Sequence, residues 1–209
     1  MSDVKIYGVP PSNFVRAVRL TCHEKGVDYE LVPGIPGSAH FPVHPFGKIP
    51  IFQHKDLVLF ESQAICRYID RVFPGPALQP SDPVSAARCD MWISFVCDYF
   101  YKSHSLGVFL PRFGLRKLPE ADIQANLVTM RAHMAVADKQ LAATPYLVGD
   151  QLTLADLFLL PIFFYVPEVP EAKAIAGDFP NLIRWARMIG PRPSVKATDP
   201  QFPPKAKAA

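Results

Sequence analysis

The stretch FGKIPIFQHKDLVLFESQAICRYID, residues 46–70, decides how the first part of this chain folds. Two short apolar runs, residues 49–52 and 57–60, flank the polar residues 53–56, and this order predicts a β-hairpin. Apolar residues then recur at helical spacing up to residue 72, which predicts an amphipathic helix. The segment therefore reads as two antiparallel strands followed by a helix.

Pro50 lies inside the first of these strands, although proline has no N–H to donate to a sheet ladder. Either the strand is an edge strand whose missing donor faces water, or the Ile49–Pro50 peptide bond is cis. A cis bond would leave the N–H and C=O of Ile49 available to an extended peptide that adds as a further strand. The residues alone leave both alternatives open.

The residues before this stretch predict a β-α-β unit. Residues 4–7 alternate between apolar and polar and read as a strand, and Ser12 or Asn13 can cap the helix that follows. Gly26 is a stop signal for that helix, and the alternation in residues 27–31 predicts a second, parallel strand. With a proline-rich loop between the two halves, the order becomes β-α-β-loop-β-β-α, an α/β fold with one mixed sheet.

The chain after this unit has helical periodicity throughout. Prolines cluster between the two parts, so we predict domains at residues 1–73 and 84–209 joined by a linker at residues 74–83. Helices are predicted at residues 84–110 and 120–141, and Thr153–Asp156 has the form of a capping box that opens a buried helix. A further helix is predicted after Pro180, with Asp178 among its capping residues. The second domain is predicted to be all helix.

Composition narrows the function further. The chain has 209 residues, a net charge of +3 and 49% apolar residues, which predicts a packed core and gives no indication of nucleic-acid binding. The N-terminus has no apolar signal region, and the longest apolar run, residues 157–166, is too short to span a membrane. The four cysteines fall within apolar helical patterns, which predicts buried thiols without disulfides or metal, and a cytoplasmic protein.

Three segments together resemble motifs of the cytosolic glutathione transferases. HPFGKIPIF is similar to the family segment Asn-Pro-x-Gly-x-Val-Pro, with Pro50 at the position of the family's cis-proline. LFESQAICRYI is similar to the Glu-Ser-x-Ala-Ile segment, and LTLADLFLLP to the capping box of the helical domain. The resemblance implies a thioredoxin-like first domain that binds glutathione and a helical second domain that completes a hydrophobic substrate site.

The same resemblance implies how glutathione is held. Ile49 would bond the cysteinyl backbone, Ser62 the γ-glutamyl carboxylate and Glu61 the amino group. Residues 34–43 are fewer than in the family, and only His40 and Lys48 are available for the glycyl carboxylate. His44 also replaces the customary asparagine, so weaker binding of glutathione is expected.

Ser12 is the predicted catalytic residue. It lies in YGVPPSNFVRAV where serine-type members keep their hydroxyl, and this segment is most like phi-type plant and microbial members. A thiol with a pKa of about 8.5 is mostly protonated near neutrality, and a hydroxyl at a helix N-terminus stabilises its anion. Tyr7 lies where tyrosine-type classes have their catalytic hydroxyl, so it is the alternative catalytic residue. Neither position is cysteine, which argues against a thiol reductase.

The expected reaction is attack of the glutathione thiolate on a hydrophobic electrophile, with glutathione as co-substrate and no resident cofactor or metal. Pro10, Pro11, Tyr99, Phe100 and Phe109 are candidate contacts for the electrophile, in a pocket expected between the domains, although any one aromatic is more often a core residue. The resemblance also implies a homodimer. The alternative function is a non-catalytic ligand-binding or docking protein with the same fold.

Overall fold

The computed structural model describes residues 3–34 and 44–200. These residues form two compact units. The first contains the described residues up to Pro76 together with those from Arg192 onward, and the second is Ala77–Pro191. His40, which we predicted to contact glutathione, lies outside the described residues.

The first unit is built on a four-stranded mixed sheet whose order is β2-β1-β3-β4. The central strand β1 pairs in parallel with β2 and antiparallel with β3, which forms the predicted hairpin with β4. The strands and their two helices are β1 Val4–Tyr7, α1 Asn13–Glu24, β2 Glu30–Val32, β3 Ile51–His54, β4 Leu57–Leu59 and α2 Ser62–Val72. The predicted thioredoxin-like order of elements is confirmed.

Two strands begin later than the sequence pattern indicated. β2 begins at Glu30 because Val27 is part of the C-terminal cap of α1, where its N–H donates to the carbonyl of Cys22 at 2.8 Å. Gly26 reverses the chain just before it, with φ of 65°. β3 begins at Ile51 because its ladder with β1 starts at that residue, and Pro50 has no N–H to extend the ladder.

A buried ion pair fixes the end of α1 against α2. The Nζ atom of Lys25 lies 3.1 Å from Oδ1 of Asp70, and both side chains are almost completely buried. Lys25 also donates to the carbonyl of Pro76 at 3.1 Å, where the linker begins. The Lys25 side chain therefore ties the end of α1 to the last turn of α2 and to the segment that follows α2.

The last described helix, α9 Pro193–Ala197, packs on α1 within the same unit. Arg192 donates to both carboxylate oxygens of Glu24, at 2.8 and 2.6 Å. Burial raises the pKa of Glu24, but the hydrogen bonds from Arg192 and Ser194 outweigh it, so the pKa is lowered overall. The contacts of α9 thus hold α1, whose opposite end carries Ser12.

The second unit is entirely helical, as predicted. Helix α3 continues into two π-helical segments, so the predicted helix over residues 84–110 is continuous in path but wider in its turns. The elements are α3 Pro83–Phe95, the π-helical segments Val96–Phe100 and Lys102–Phe109, α4 Leu110–Arg112, α5 Glu120–Ala143, α6 Leu154–Phe163, the 3₁₀ turn Val166–Glu168, α7 Pro170–Ala176 and α8 Pro180–Ile189. All ten residues of α6 are buried.

The predicted capping box opens α6. Asp156 accepts hydrogen bonds from the N–H and the hydroxyl of Thr153, both at 3.0 Å. The same carboxylate accepts from the N–H of Leu147 at 3.0 Å and from Nε1 of Trp185 at 2.9 Å. Its donors come from three parts of the unit, so Asp156 joins them as well as capping the helix.

The prediction that Asp178 caps α8 is wrong. Asp178 instead pairs with Arg131, at 2.6 Å. The first N–H groups of α8, those of Asn181 and Leu182, donate to Asp138 on α5 at 2.8 and 2.9 Å. The cap comes from a residue 43 positions earlier in the chain, which no local pattern indicates.

The four cysteines are free thiols. Cys22, Cys66 and Cys89 are buried, as predicted, whereas Cys97 is only partly buried. Burial raises the pKa of the Cys89 thiol to about 11, despite hydrogen bonds that favour the thiolate. Within residues 3–34 and 44–200, no helix combines the length and the apolar character needed to cross a bilayer.

Candidate active site

Ser12 caps the N-terminus of α1. Its backbone is extended, with φ of −69° and ψ of 126°, and its Oγ accepts from the N–H of Val15 at 3.4 Å. This settles the choice of cap between Ser12 and Asn13. The side chain is half-buried, and among the described residues none accepts a hydrogen bond from its hydroxyl. Ser12 therefore presents a donor at the positive end of a helix dipole, where an anion is stabilised.

Tyr7 uses its hydroxyl inside the sheet. The side chain is buried, with 7% of its surface exposed, and the hydroxyl donates to Oε1 of Gln53 at 2.6 Å. A phenol has one proton to donate, so this hydrogen bond takes the donor that a thiolate would need. Our sequence analysis did not single out Gln53. The available signal was a polar side chain in β3, the strand that pairs with the strand of Tyr7.

The Ile49–Pro50 peptide bond is cis, the second of the two alternatives that the sequence left open. Ile49 is partly buried and packs against the cluster formed by Tyr7 and Ile51. Across the described ranges, no hydrogen bond uses the N–H or the C=O of Ile49. Its backbone thus offers one donor and one acceptor to an extended ligand. Lys48, the preceding residue, is exposed.

Glu61 and Ser62 open α2 without a side-chain cap. Glu61 is the N-cap residue and has φ of 67°, a conformation that is strained for any residue with a Cβ atom. Its side chain is exposed and makes no capping hydrogen bond. The hydroxyl of Ser62 therefore remains for a ligand carboxylate at the positive end of the helix dipole, and the carboxylate of Glu61 for an ammonium group.

The candidate contacts for an electrophile differ in their surroundings. Pro11 is half-buried and directly precedes Ser12, and Tyr99 is 58% exposed. Phe109, in contrast, is 4% exposed and stacks on Tyr165 with ring centroids 4.5 Å apart. Phe100 is likewise buried. Phe109 and Phe100 are thus core residues of the helical unit, because their rings pack on other aromatic rings.

The first unit consequently carries three complementary features. A hydroxyl donor lies at the start of α1, an unused backbone pair at Ile49, and an uncapped helix start with an acid at Glu61. Together they can hold an extended peptide that has a carboxylate and an ammonium group at one end, and they can stabilise an anion. A thiolate is an anion that such a peptide can supply.

Comparison with known proteins agrees with this assignment. Residues 6–77 match the family model of the glutathione S-transferase N-terminal domain, and residues 92–193 match that of the C-terminal domain. The chain is 33% identical to glutathione S-transferase 1 of Triticum aestivum, over 99% of this chain and 98% of the wheat protein.

Solved structures give the same result. Glutathione transferase F7 of Populus trichocarpa is 30% identical with a TM-score of 0.81, covering 93% of this chain and 97% of the poplar chain. A theta class enzyme of Xanthomonas axonopodis pv. citri, solved with glutathione bound, is 29% identical with a TM-score of 0.79, covering 95% and 97% of the two chains.

Proposed function

Because this chain belongs to the glutathione S-transferase family, with the predicted phi-type plant proteins among its relatives, we propose that it conjugates the thiolate of glutathione to hydrophobic electrophiles. One observation carries the proposal: Ser12 caps α1 with its oxygen and has its hydroxyl proton available for the sulfur, whereas the hydroxyl of Tyr7 already donates its hydrogen bond to Gln53.

Glutathione is proposed to lie along the first unit in an extended form. The N–H and C=O of Ile49 pair with its cysteinyl backbone, and Ser62 with the N–H groups of α2 holds the γ-glutamyl carboxylate. Glu61 holds the amino group by charge. Lys48, which is exposed, and His40, outside the described residues, are the candidate partners of the glycyl carboxylate. Glutathione is the co-substrate, and no resident cofactor is proposed.

Ser12 acts in this mechanism as a donor that keeps its proton. Its hydroxyl donates to the sulfur, which favours the thiolate over the thiol and lowers the thiol pKa. A lowering by about two units corresponds to about 2.7 kcal/mol and makes the thiolate the major form near neutrality. The thiolate pair of electrons then forms a bond to the electrophilic carbon. In a substitution, the bond to the leaving group breaks and that group departs with its electron pair.

The electrophile is proposed to be hydrophobic, with Pro11 and Tyr99 as its candidate contacts. Phe109 is no longer favoured, since it is stacked in the core. We propose a cytoplasmic location, which the free thiols support because disulfides are rare in that compartment. The non-catalytic alternative is supported only by the short segment 34–43 with its few basic residues, whereas the relatives compared above are transferases.

A homodimer is proposed because each unit exposes apolar side chains. In the first unit Phe46 is 72% exposed and Val58 44%. In the second, Val84 is 60% exposed and Met91 56%, on the same helix α3. Val84 and Met91 lie on one face of α3 and line a shallow apolar depression together with Ala87. A contiguous exposed apolar patch is typical of a surface that a partner covers.

The test of catalysis compares three variants on a chlorodinitrobenzene substrate. Ser12→Ala removes donor and cap together, so kcat/KM should fall by about tenfold to a hundredfold. Ser12→Asp keeps a capping oxygen but has no proton to donate, so it should fold normally and be at least as impaired. Tyr7→Phe should retain most of the activity. Full activity in Ser12→Ala with loss in Tyr7→Phe would overturn the assignment of Ser12.

A further inference from the structure

His44 begins a tight turn that leads directly to Ile49. Its carbonyl accepts from the N–H of Gly47 at 3.0 Å, and its Nδ1 accepts from the N–H of Phe46 at 3.0 Å. Gly47 has φ of 60°, which completes the turn in a conformation that glycine tolerates. Two hydrogen bonds from one residue thus close residues 44–47, and only Lys48 separates the turn from Ile49.

The imidazole ring of His44 also reaches the other half of the proposed glutathione site. It is 93% buried, since 7% of the residue is exposed, and its centroid lies 5.0 Å from that of Phe60. Phe60 directly precedes Glu61. One side chain therefore contacts the segment before Ile49 through a hydrogen bond and the segment before Glu61 through ring packing.

The hydrogen bond to Phe46 fixes the form of the imidazole. Because Nδ1 accepts this hydrogen bond, it carries a lone pair, and the ring hydrogen lies on Nε2. An asparagine side chain would place its Oδ1 at the same number of bonds from Cα as Nδ1 of histidine. The two residues can therefore close the same turn, in the way that short polar side chains accept from an N–H two residues on.

We propose that His44 is a positioning residue for glutathione, whose Nδ1 lone pair holds the turn that presents the backbone of Ile49. The inference rests on the proposed function, because Ile49 must contact glutathione for the turn to matter. It also revises an expectation from the sequence: histidine at this position retains the acceptor of the asparagine that it replaces, so the replacement does not in itself weaken binding.

Two substitutions separate the acceptor from the ring. His44→Asn keeps an acceptor in the place of Nδ1 but loses the ring, whereas His44→Phe keeps the ring but loses the acceptor. The KM for glutathione should stay within about twofold of the parent in His44→Asn and rise about fivefold in His44→Phe, the range for one lost hydrogen bond. The kcat at saturating glutathione and the KM for the electrophile should not change.

Two further variants serve if His44→Phe does not fold. His44→Gln displaces the acceptor by one bond and should raise the KM for glutathione as His44→Phe does. Phe60→Leu removes the ring partner while the hydrogen bond remains, and should leave this KM near the parental value. Thermal unfolding of each variant separates binding from stability.

The inference is overturned if His44→Asn is as impaired as His44→Phe, or if His44→Phe and His44→Gln bind glutathione like the parent. A parental protein whose rate shows no saturable dependence on glutathione would instead overturn the proposed function itself. The two failures are therefore distinguishable.

Discussion

Helices α2 and α6 begin in opposite ways. At the start of α6, the carboxylate of Asp156 is buried and accepts from four donors, those of Thr153, Leu147 and Trp185. At the start of α2, Glu61 is exposed, has a positive φ and gives no side-chain cap. Both ends carry the same orphan N–H groups, so the difference lies in what satisfies them.

The comparison separates a structural helix end from a binding one. A buried end must satisfy its donors within the protein, because unpaired polar groups away from water are unfavourable. An exposed end can leave its donors to water in the unliganded state and to a carboxylate when a ligand binds. The strained backbone at Glu61 also indicates that the start of α2 binds a ligand, since backbone strain is concentrated at functional sites.

The largest effect is expected from Asp156→Ala. Four donors would lose their buried partner, so the free energy of unfolding should fall by about 3–5 kcal/mol. Urea unfolding measures this change, provided that the variant is isolated folded. A loss below about 1 kcal/mol would show that the carboxylate does not join the parts of the helical unit.

Ser62→Ala should give the reverse pattern at the start of α2. The KM for glutathione should rise by about tenfold, since a hydrogen bond to a charged carboxylate is lost. The unfolding free energy should change by less than about 0.5 kcal/mol, because Ser62 caps nothing. Steady-state kinetics measure the KM for glutathione, and urea unfolding of the same preparation measures the free energy of unfolding. A destabilised variant with unchanged KM would place Ser62 with Asp156 as a structural residue.

Glu61→Gly tests the strain at this position. Glycine adopts φ of 67° without a Cβ clash, so stability should increase by about 1 kcal/mol while the KM for glutathione rises through loss of the carboxylate. Glu61→Ala is the matched control, because it removes the same charge and keeps the strain. Equal unfolding free energies for the glycine and alanine variants would mean that the backbone is not strained.

The smallest effect is expected at α3, whose cap Asp82 is exposed and accepts from the N–H of Ser85 at 2.8 Å. This hydrogen bond lowers the pKa of Asp82 below its ordinary value of 3.8. The charged form therefore stabilises the fold above that value, and its contribution is lost as the pH falls below it.

Asp82→Asn keeps a capping oxygen without the charge. Its unfolding temperature should be slightly below that of the parent near neutrality, and the two should converge as the carboxyl is protonated. If the difference in unfolding temperature between the parent and Asp82→Asn grew as the pH fell, the charge on Asp82 would not stabilise the helix as proposed.

The sequence predicted the fold where local patterns determine it. The alternation in β1, the stop at Gly26 and the capping box at Thr153–Asp156 depend on neighbouring residues. The cap of α8 could not be predicted, because Asp138 reaches it from another helix. The sequence could not separate the buried Phe109 from the exposed Tyr99 either, since an aromatic at helical spacing has the same pattern in a core as in a pocket.

In the candidate site, too, local features could be predicted and contacts between distant residues could not. Ser12 as a cap and Glu61–Ser62 as a helix start are local features, and the cis bond at Pro50 was one of two stated alternatives. The hydrogen bond between Tyr7 and Gln53 joins residues 46 positions apart, so only the paired strands reveal that the phenol donor is used. The sequence favoured Ser12 through its place at a helix start and through the resemblance, and the structure adds the reason against Tyr7, whose hydroxyl donates to Gln53.

The most direct test of the account is the pKa of the glutathione thiol when it is bound, measured by the ultraviolet absorbance of the thiolate across a pH titration. A free thiol has a pKa of about 8.5. The account predicts a value about two units lower on the parental protein and on Tyr7→Phe, and a return toward the free value on Ser12→Ala. An unshifted thiol on the parental protein, or a lowered one that persists in Ser12→Ala, would contradict it.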